Sequence, residues 1–272
     1  MGAVHGVYLK YVLFSSISMA GCVYLLQSDT GNADKGRMLL RTSPLSNGNI
    51  FFAQILGYSA VVNGTVAALF QMRKGMFLLG KNKENGKIPM WSYILWFPFY
   101  IPTYLYTSIH TRLGTYAVTD PDSGKKKKVH VPEASEVLPG WWIGGRYSHL
   151  LNKTWGGIID LTVEFPELCK CKNYLCIPVW DGVPPSPDQL EESATFAAHS
   201  KKDGDVLIHC AHGRGRSTTV MCAALVKYGL YSSWQEAFDA VKPGRPVVKL
   251  NAKMKDALTR WQLQYIDSKK GK

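Results

Sequence analysis

The sequence predicts two unlike halves: an all-α membrane region, followed by an α/β domain in which helices flank a central sheet. Two observations support this division. Long runs without charge dominate the first half, whereas short apolar runs alternate with helical patterns from Val137 onward. Such alternation is typical of a sheet covered by helices. The predicted segments are a membrane region at 1–118, a basic linker at 119–136 and an α/β domain at 137–268.

Composition and charge agree with this division. The chain has 272 residues, of which 46% are hydrophobic, so it can bury a core. The net charge is +12, and residues 1–130 carry 14 Lys and Arg against only 5 Asp and Glu. A basic half indicates a nucleic-acid or membrane partner. Because the basic residues flank apolar runs, we expect a membrane partner and no nucleic acid.

Two apolar runs have the length of membrane-spanning helices. The first, Val7–Leu26, contains one charge, Lys10, near its start. The second, Ile50–Met72, contains none and exceeds the roughly 20 residues that cross a bilayer core. We therefore expect an integral membrane protein in which at least these two runs span.

A third run, Met90–Ile109, also lacks charge but is rich in aromatic residues and contains Pro98 and Pro102. Paired prolines predict a broken helix, so this run is either a third span or a re-entrant wedge. If it is a wedge, the basic segments 73–89 and 125–128 lie on one side of the membrane. The positive-inside rule then puts the α/β domain in the cytoplasm, with the organelle left open.

The α/β half is predicted from its periodicity. Apolar runs of strand length occur at 157–161, 174–179 and 206–209, and helical patterns at 190–199, 217–228, 233–241 and 252–266. Asp188 is expected to cap the first of these helices. Asp160, within a strand, is expected to be structural.

The segment 205–219, DVLIHCAHGRGRSTT, predicts a strand, a glycine-punctuated loop and the start of a helix near Arg216. Backbone N–H groups of such a loop form an anion cradle at the helix N-terminus. Cys210 begins this loop, where those N–H groups lower a thiol pKa and make a nucleophilic thiolate available. The guanidinium of Arg216 can bind two phosphate oxygens at once.

These residues carry a resemblance to a known family. HCAHGRGRS resembles the phosphate-binding loop of the cysteine-based protein tyrosine phosphatases. Three further segments resemble the dual-specificity branch: WWIGG at 141–145 its opening strand, IPVWDGVPP at 177–185 its mobile acid loop, and RP at 245–246 its late arginine-proline pair. The resemblance covers about residues 137–265 and implies a dual-specificity-phosphatase-like fold for that part alone.

The resemblance also implies roles for individual residues. Cys210 would attack phosphorus, and Arg216 would bind the phosphoryl oxygens. Asp181 would act as general acid and then as base, Ser217 would ease the departure of the thiolate, and His209 would help to set the pKa of the cysteine. No cofactor and no metal is implied. The loop residues that would bind phosphate are Ala211, His212, Gly213, Arg214 and Gly215.

The substrate stays open at this stage. Two loop positions can carry positive charge, which together with a membrane anchor favours a lipid phosphate, either a phosphoinositide or phosphatidylglycerophosphate. A phosphoprotein bearing phosphorylated Tyr, Ser or Thr is the alternative. A catalytically inactive membrane adaptor that binds phosphate is the alternative from another class.

The remaining cysteines indicate neither a disulfide framework nor a metal site. Cys169, Cys171 and Cys176 lie within eight residues, without a nearby histidine and without the spacing of a tetrahedral site. We expect free thiols. A redox partnership between Cys176 and Cys210 is the one other reading.

Overall fold

The computed structural model describes residues 3–28, 47–119 and 125–268. Within them a helical first half precedes a sheet flanked by helices, so the predicted fold class is confirmed. The helices of the first half are α1 (Ala3–Ser28), α2 (Asn47–Met72), α3 (Met90–Leu95) and α4 (Phe97–Arg112).

Helices α1 and α2 form an antiparallel pair with small residues along the seam. The hydroxyl of Ser15 donates to the carbonyl of Ala60 at 2.8 Å, and the hydroxyls of Ser18 and Ser59 lie 3.1 Å apart. A Cβ added at Gly64 would lie 3.1 Å from the Ser15 hydroxyl. Small side chains of this kind let two apolar helices approach closely.

The third apolar run breaks at Trp96, between α3 and α4. Pro98 lies in the first turn of α4, where a missing N–H costs nothing. Pro102 lies inside α4 and cannot donate to the carbonyl of Pro98. The side-chain amide of Asn63 in α2 donates to that carbonyl at 3.5 Å. The expectation that paired prolines break the helix is therefore wrong for Pro102, because a neighbouring helix supplies the bond that the proline removes.

Part of the segment predicted as a linker at 119–136 forms strands. β1 (Thr115–Thr119) and β2 (Lys126–His130) pair antiparallel, with Thr119 opposite Lys126, while residues 120–124 lie outside the described residues. The prediction missed these strands because it relied on side-chain composition. The backbone N–H and C=O groups of β2 bond to β1, and composition does not reveal that pairing.

The strands of the central sheet are β3 (Ala134–Leu138), β4 (Trp141–Gly144), β5 (Thr154–Thr162), β6 (Lys170–Val179) and β7 (Val206–His209). Their order is β3-β4-β7-β5-β6, with β3 antiparallel to β4 and the other pairs parallel. The three predicted strands are confirmed as parts of β5, β6 and β7. All four residues of β7 are buried, so the loop after it starts from the interior of the sheet.

The helices of the second half are α5 (Pro187–Ser200), α6 (Arg216–Lys227), α7 (Trp234–Gly244) and α8 (Ala252–Gln262), which confirms the four predicted helices. The predicted cap at Asp188 is wrong. The hydroxyl of Ser186 accepts from the amide of Gln189 at 3.2 Å, and the Gln189 side chain accepts from the amide of Ser186 at 2.9 Å. Because Pro187 suits the first helical position, the helix begins at Pro187, and the cap is Ser186, two residues before the predicted one.

Candidate active site

The loop between β7 and α6 carries the predicted nucleophile and the predicted phosphate-binding arginine. Cys210 follows the end of β7 and is 3% exposed, and Arg216 begins α6 and is 1% exposed. Between them, Gly213 has a φ of 64°, and a Cβ there would lie 2.6 Å from the carbonyl oxygen of Gly144. Only glycine fits this position, and its absence of a side chain lets the loop lie against the end of β4.

Arg245, the arginine of the RP pair, supports this loop from outside. Its Nε donates to the carbonyl of Gly213 at 2.8 Å, and its Nη2 donates to the carbonyl of His212 at 3.3 Å. Burial lowers the pKa of Arg245 to about 10, so the guanidinium is still charged at neutral pH. The loop carbonyls are thus bound by Arg245, and loop amides are free to face the cysteine.

The surroundings of Cys210 favour its thiolate. Burial alone would raise the pKa of this thiol, but the charge of Arg216 opposes burial. The hydroxyl of Ser217 lies 3.5 Å from the sulfur, and the amides of Ser217 and Arg214 donate to it. Together these groups hold the pKa of Cys210 below its usual range, and a thiolate in this position is a nucleophile.

Arg216 is held in one orientation by acceptors that the sequence did not reveal. Its Nη1 donates to the carbonyls of Val179 at 2.7 Å and Leu161 at 3.0 Å. Its Nη2 donates to Glu164 Oε1 at 2.8 Å. The Nε atom is buried and has no hydrogen-bond partner among the described residues. The guanidinium is therefore anchored along one edge and keeps a donor for an anion.

Asp181 lies beside Arg216 in the same cleft. Its Oδ1 is 3.3 Å from Arg216 Nη2, and its side chain is 37% exposed. Burial tends to raise the pKa of this carboxyl, but the positive charge of Arg216 outweighs burial and lowers it. The structure thus brings Cys210, Arg216 and Asp181 together, with Asp181 as a carboxylate.

The loop that carries Asp181 packs against the first half of the chain. Trp180 is buried, and its indole N–H donates to the carbonyl of Lys74 at 2.9 Å. Its ring lies 5.8 Å from the ring centroid of Phe70 in α2 and 6.1 Å from that of Phe99 in α4. The apolar helices therefore help to position the residue proposed as general acid.

His209 belongs to a buried ionic network behind the cysteine. Its Nε2 lies 2.6 Å from Glu167 Oε2 and 3.8 Å from Asp160 Oδ1. Burial by itself lowers the pKa of His209, but these two carboxylates outweigh burial and raise it to about 9. His209 is thus an imidazolium at neutral pH, bonded to Glu167.

Lys81, from the segment between α2 and α3, completes this network. Its buried ammonium donates to Asp160, to the carbonyl of Thr162 at 2.8 Å and to the carbonyl of Phe165 at 2.6 Å. Asp160, Glu167 and His209 each offer an atom within 4.8 Å of the others, which is a metal-like spacing. Lys81 supplies positive charge to Asp160, and His209 Nε2 bonds to Glu167, so these side chains form an ion-pair network.

The strand order separates Cys176 from Cys210. Cys176 in β6 pairs with Asp160 in β5, which pairs with His209 in β7. Two strand spacings, about 9–10 Å, therefore divide Cys176 from the residue next to Cys210, beyond the roughly 7 Å between Cα atoms that a disulfide tolerates. All six cysteines are free, as expected, and burial together with Asp160 raises the pKa of Cys176 to about 11.

Both halves of the chain line a cleft of about 450 Å³ over the cysteine. Tyr106 and His110 of α4 and Val7 of α1 contribute from the first half. From the second half come Cys210, Asp181, Gly182, Arg216, Lys249, Leu250, Asn251, Met254 and three of the five predicted loop residues, His212, Arg214 and Gly215. Ala211 and Gly213 are buried in the loop itself.

Sequence reasoning missed Glu164, Lys81 and Trp180. Glu164 lies between two predicted strands, and an acidic residue at the end of a buried strand was the available signal. Lys81 resembles its neighbours Lys83 and Lys87, and nothing local distinguishes it. Trp180 stands beside Asp181 in the quoted acid loop, and its size was a signal for a packing partner.

Comparisons with known proteins agree with this geometry. The family model of the dual specificity phosphatase catalytic domain matches residues 151–264. A probable dual specificity protein phosphatase from Dictyostelium discoideum is 30% identical over 139 residues, which are 48% of this chain and 34% of that protein. Dual specificity protein phosphatase 14 from Mus musculus is 35% identical over 98 residues, 35% of this chain and 48% of that protein. The chain thus spans less than half the length of either relative.

Among solved structures, a mouse putative dual specificity phosphatase complexed with zinc tungstate is similar to this chain with a TM-score of 0.45 and 22% sequence identity. The match covers 54% of this chain and 97% of that chain.

Proposed function

We propose that the chain is a membrane-anchored, cysteine-dependent phosphatase, since residues 151–264 match the family model of the dual specificity phosphatase catalytic domain. It hydrolyses phosphomonoesters through a phosphocysteine intermediate. The observation that carries this proposal is the meeting of three groups in one cleft: the low-pKa thiol of Cys210, the anchored guanidinium of Arg216 and the carboxyl of Asp181.

The geometry supports a two-step reaction. In the first step the Cys210 thiolate forms a bond to phosphorus, the bond from phosphorus to the leaving oxygen breaks, and Asp181 gives that oxygen its proton. Arg216 binds the equatorial oxygens. In the second step Asp181 takes a proton from water, whose oxygen displaces the sulfur and releases inorganic phosphate. The hydroxyl of Ser217, 3.5 Å from the sulfur, stabilises the departing thiolate.

Asp181 has to be protonated for the first step. Arg216 holds its pKa low, but a phosphate dianion in the loop competes for the same guanidinium and adds negative charge nearby. Both effects raise the pKa of Asp181 when substrate binds. Substrate binding therefore favours the protonated form of Asp181, which is the form that the first step requires.

The surface of the first half supports membrane anchoring. By length and composition, the helical segments Val7–Gln27 and Gly48–Met72 could cross a bilayer. Large apolar side chains of α1 point away from the protein, with Leu13 57% and Ile17 61% exposed. Lipid covers such a surface favourably, whereas water does not, at about 25 cal/mol per Å².

The contacts of α4 support a wedge and not a third span. Tyr104 lies 4.9 Å from the ring centroid of Phe165, and the hydroxyl of Ser108 lies 2.8 Å from that of Tyr147. Because α4 packs against the second half in this way, it lies beside the catalytic domain and is not free to cross the bilayer as a third span. The start of α1 and the end of α2 then share one side of the membrane with that domain. The basic segment 73–89 favours the cytoplasm for this side, where a thiolate also stays reduced.

A lipid phosphate is the substrate that this arrangement favours. The cleft over Cys210 has Val7 of α1 and Tyr106 of α4 in its wall, so the cleft adjoins the helices that would contact lipid. Tethering also raises the effective concentration of a substrate in the same bilayer. A phosphoprotein is the second candidate, because the curated relatives are named as protein phosphatases. The intact trio of Cys210, Arg216 and Asp181 argues against an inactive adaptor.

A panel of phosphate-release assays tests the proposal on the full chain in vesicles. The full chain is needed because Lys81 is buried in the catalytic half. The substrates are a phosphoinositide, phosphatidylglycerophosphate, phosphotyrosine and phosphothreonine peptides and p-nitrophenyl phosphate, with Cys210→Ser as the inactive control. We expect the highest kcat/KM on the lipids. Faster turnover of the peptides would favour the protein-phosphatase alternative. If no substrate were turned over, the remaining hypothesis would be an inactive adaptor that binds phosphate.

A further inference from the structure

The bend segment, residues 160–165 at the end of β5, holds the guanidinium of Arg216. The carbonyl of Leu161 accepts from Arg216 Nη1 at 3.0 Å, and Glu164 Oε1 accepts from Nη2 at 2.8 Å. The other oxygen of Glu164 accepts from the amide of Val163 at 2.9 Å. The segment therefore supplies acceptors to both Nη atoms, and its path helps to set the orientation of the guanidinium.

Lys81, from the first half of the chain, holds the same bend segment through other residues. Its ammonium donates to the carbonyl of Thr162 at 2.8 Å, to the hydroxyl of Thr162 at 2.9 Å and to the carbonyl of Phe165 at 2.6 Å. It also pairs with the carboxylate of Asp160, and the lysine side chain is only 1% exposed. Along the segment, the acceptors of Lys81 thus alternate with those of Arg216.

The loop that carries Lys81 is itself fixed in place on both sides of the lysine. The hydroxyl of Ser92 in α3 donates to the carbonyl of Leu79 at 2.7 Å. Further along the loop, the carbonyl of Gly86 accepts from the amide of Glu167 in the second half at 3.1 Å. The ammonium therefore approaches the bend segment from a defined direction.

An ion pair with Asp160 alone does not account for the contacts of Lys81. Burying an ammonium is unfavourable unless a charge and hydrogen-bond acceptors replace its water. The carboxylate supplies the charge, but the carbonyl oxygens come from Thr162 and Phe165, which bracket Glu164 in the chain. By binding both carbonyls, the lysine fixes the path of the backbone that carries this glutamate.

We propose that Lys81 is a positioning residue for Arg216 and acts through the bend segment. By holding the carbonyls on both sides of Glu164, the ammonium keeps the acceptors of the guanidinium in place. This inference rests on the proposed function, in which the guanidinium binds the phosphoryl oxygens. It makes the first half of the chain a requirement for phosphate binding by the second, since the matched residues 151–264 do not include this lysine.

Phosphate affinity separates a positioning role from a role in folding alone. A variant that only unfolds more easily lowers the apparent kcat, but KM and the inhibition constant of inorganic phosphate stay unchanged, because the molecules that remain folded are normal. A misplaced Arg216 raises both constants. With the full chain in detergent micelles, Lys81→Met should raise KM for p-nitrophenyl phosphate and the inhibition constant of phosphate about tenfold, and lower kcat/KM by up to about 10²-fold.

The double variant Lys81→Met with Asp160→Asn tests the inference even if the single variant folds poorly. It leaves no unpaired buried carboxylate, so part of the unfolding free energy should return. The inhibition constant of phosphate should stay raised, because the carbonyls of the bend segment still lack their donor. Lys83→Met, which changes an exposed lysine of the same loop, should alter neither quantity.

Two results would overturn the positioning role while phosphatase activity of the wild-type chain upholds the proposed function. One is wild-type KM and phosphate inhibition in Lys81→Met, and the other is an inhibition constant that returns to the wild-type value together with stability in the double variant. If the wild-type chain neither hydrolyses p-nitrophenyl phosphate nor binds phosphate, the proposed function and this inference are both wrong.

Discussion

The two halves of this chain differ in where their helices place large apolar side chains: one half buries them and the other exposes them. In α6, Val220, Met221 and Leu225 are fully buried beside the sheet, whereas in α1, Leu13, Ile17 and Tyr24 lie on the outside. Water drives apolar groups inward, as in α6, whereas lipid does not, so the exposed apolar face of α1 agrees with the membrane anchoring that we propose. The halves meet through polar and apolar contacts: Lys81 of the first half is buried among acceptors of the second, and Trp180 of the second half packs on Phe70 and Phe99 of the first. The first half therefore packs directly on the half that holds the candidate active site and contributes a buried side chain to it.

The largest effects are expected from substitutions of the proposed nucleophile and the proposed phosphate-binding arginine, both of which lie in the second half. Cys210→Ser should lower turnover of any phosphomonoester about 10⁴-fold or more, because a serine hydroxyl is not ionised at neutral pH. Arg216→Lys should be nearly as damaging, since one ammonium cannot replace the planar fork. Phosphate release measures both, and retention in vesicles after alkaline carbonate extraction should match wild type. Near-wild-type turnover by the serine variant would exclude the phosphocysteine.

Asp181→Asn should have the next largest effect, and the effect should depend on the leaving group. A general acid contributes about 10²–10⁴-fold when the departing oxygen is basic and much less when it is not. We therefore expect a large loss on a serine phosphate and a small one on p-nitrophenyl phosphate. Equal losses on the two substrates would remove Asp181 from the role of acid.

Lys81→Met tests the polar junction between the halves. Removing the ammonium leaves the buried carboxylate of Asp160 without its main partner, which should cost about 3–5 kcal/mol of unfolding free energy. Denaturant unfolding of the full chain in detergent measures this loss. Lys83→Met, which changes an exposed lysine nearby, should stay within about 0.5 kcal/mol of wild type. The double variant Lys81→Met with Asp160→Asn should recover part of the loss, and a double variant that is simply additive would contradict the pairing.

The smallest expected effect concerns the lysines of β2. Because side chains alternate along a strand, Lys126 and Lys128 share one face and Lys127 shares the other with the half-buried Val129. Replacing Lys126 and Lys128 with Gln should lower activity on anionic vesicles roughly two- to tenfold, at about 1 kcal/mol per lysine at most. The loss should fade at high salt, and Lys127→Gln should lose less. Equal loss on a soluble phosphate would mean that these lysines support the fold.

Local patterns carried most of what could be predicted for the candidate site. The spacing from Cys210 to Arg216, with Gly213 between, specifies a strand, a tight loop and a helix through neighbouring residues, and the structure has all three. Three of the five sheet strands, β5, β6 and β7, and the four helices of the second half followed from periodicity for the same reason, whereas β3 was not predicted and β4 was expected only from the family resemblance. The cap at Asp188 and the break at Pro102 were predicted wrongly because a residue outside each pattern, Ser186 or Asn63, takes part in the relevant hydrogen bond.

By itself the sequence determined the α/β class, the phosphate loop and the apolar character of the first half, since each depends on residues close together in the chain. Only the tertiary structure decided which distant residues meet. Lys81 reaches Asp160 across 79 positions, and Trp180 reaches the carbonyl of Lys74 across 106. Such contacts form when one half packs on the other and buried polar groups require partners, and no local periodicity encodes a partner so far along the chain.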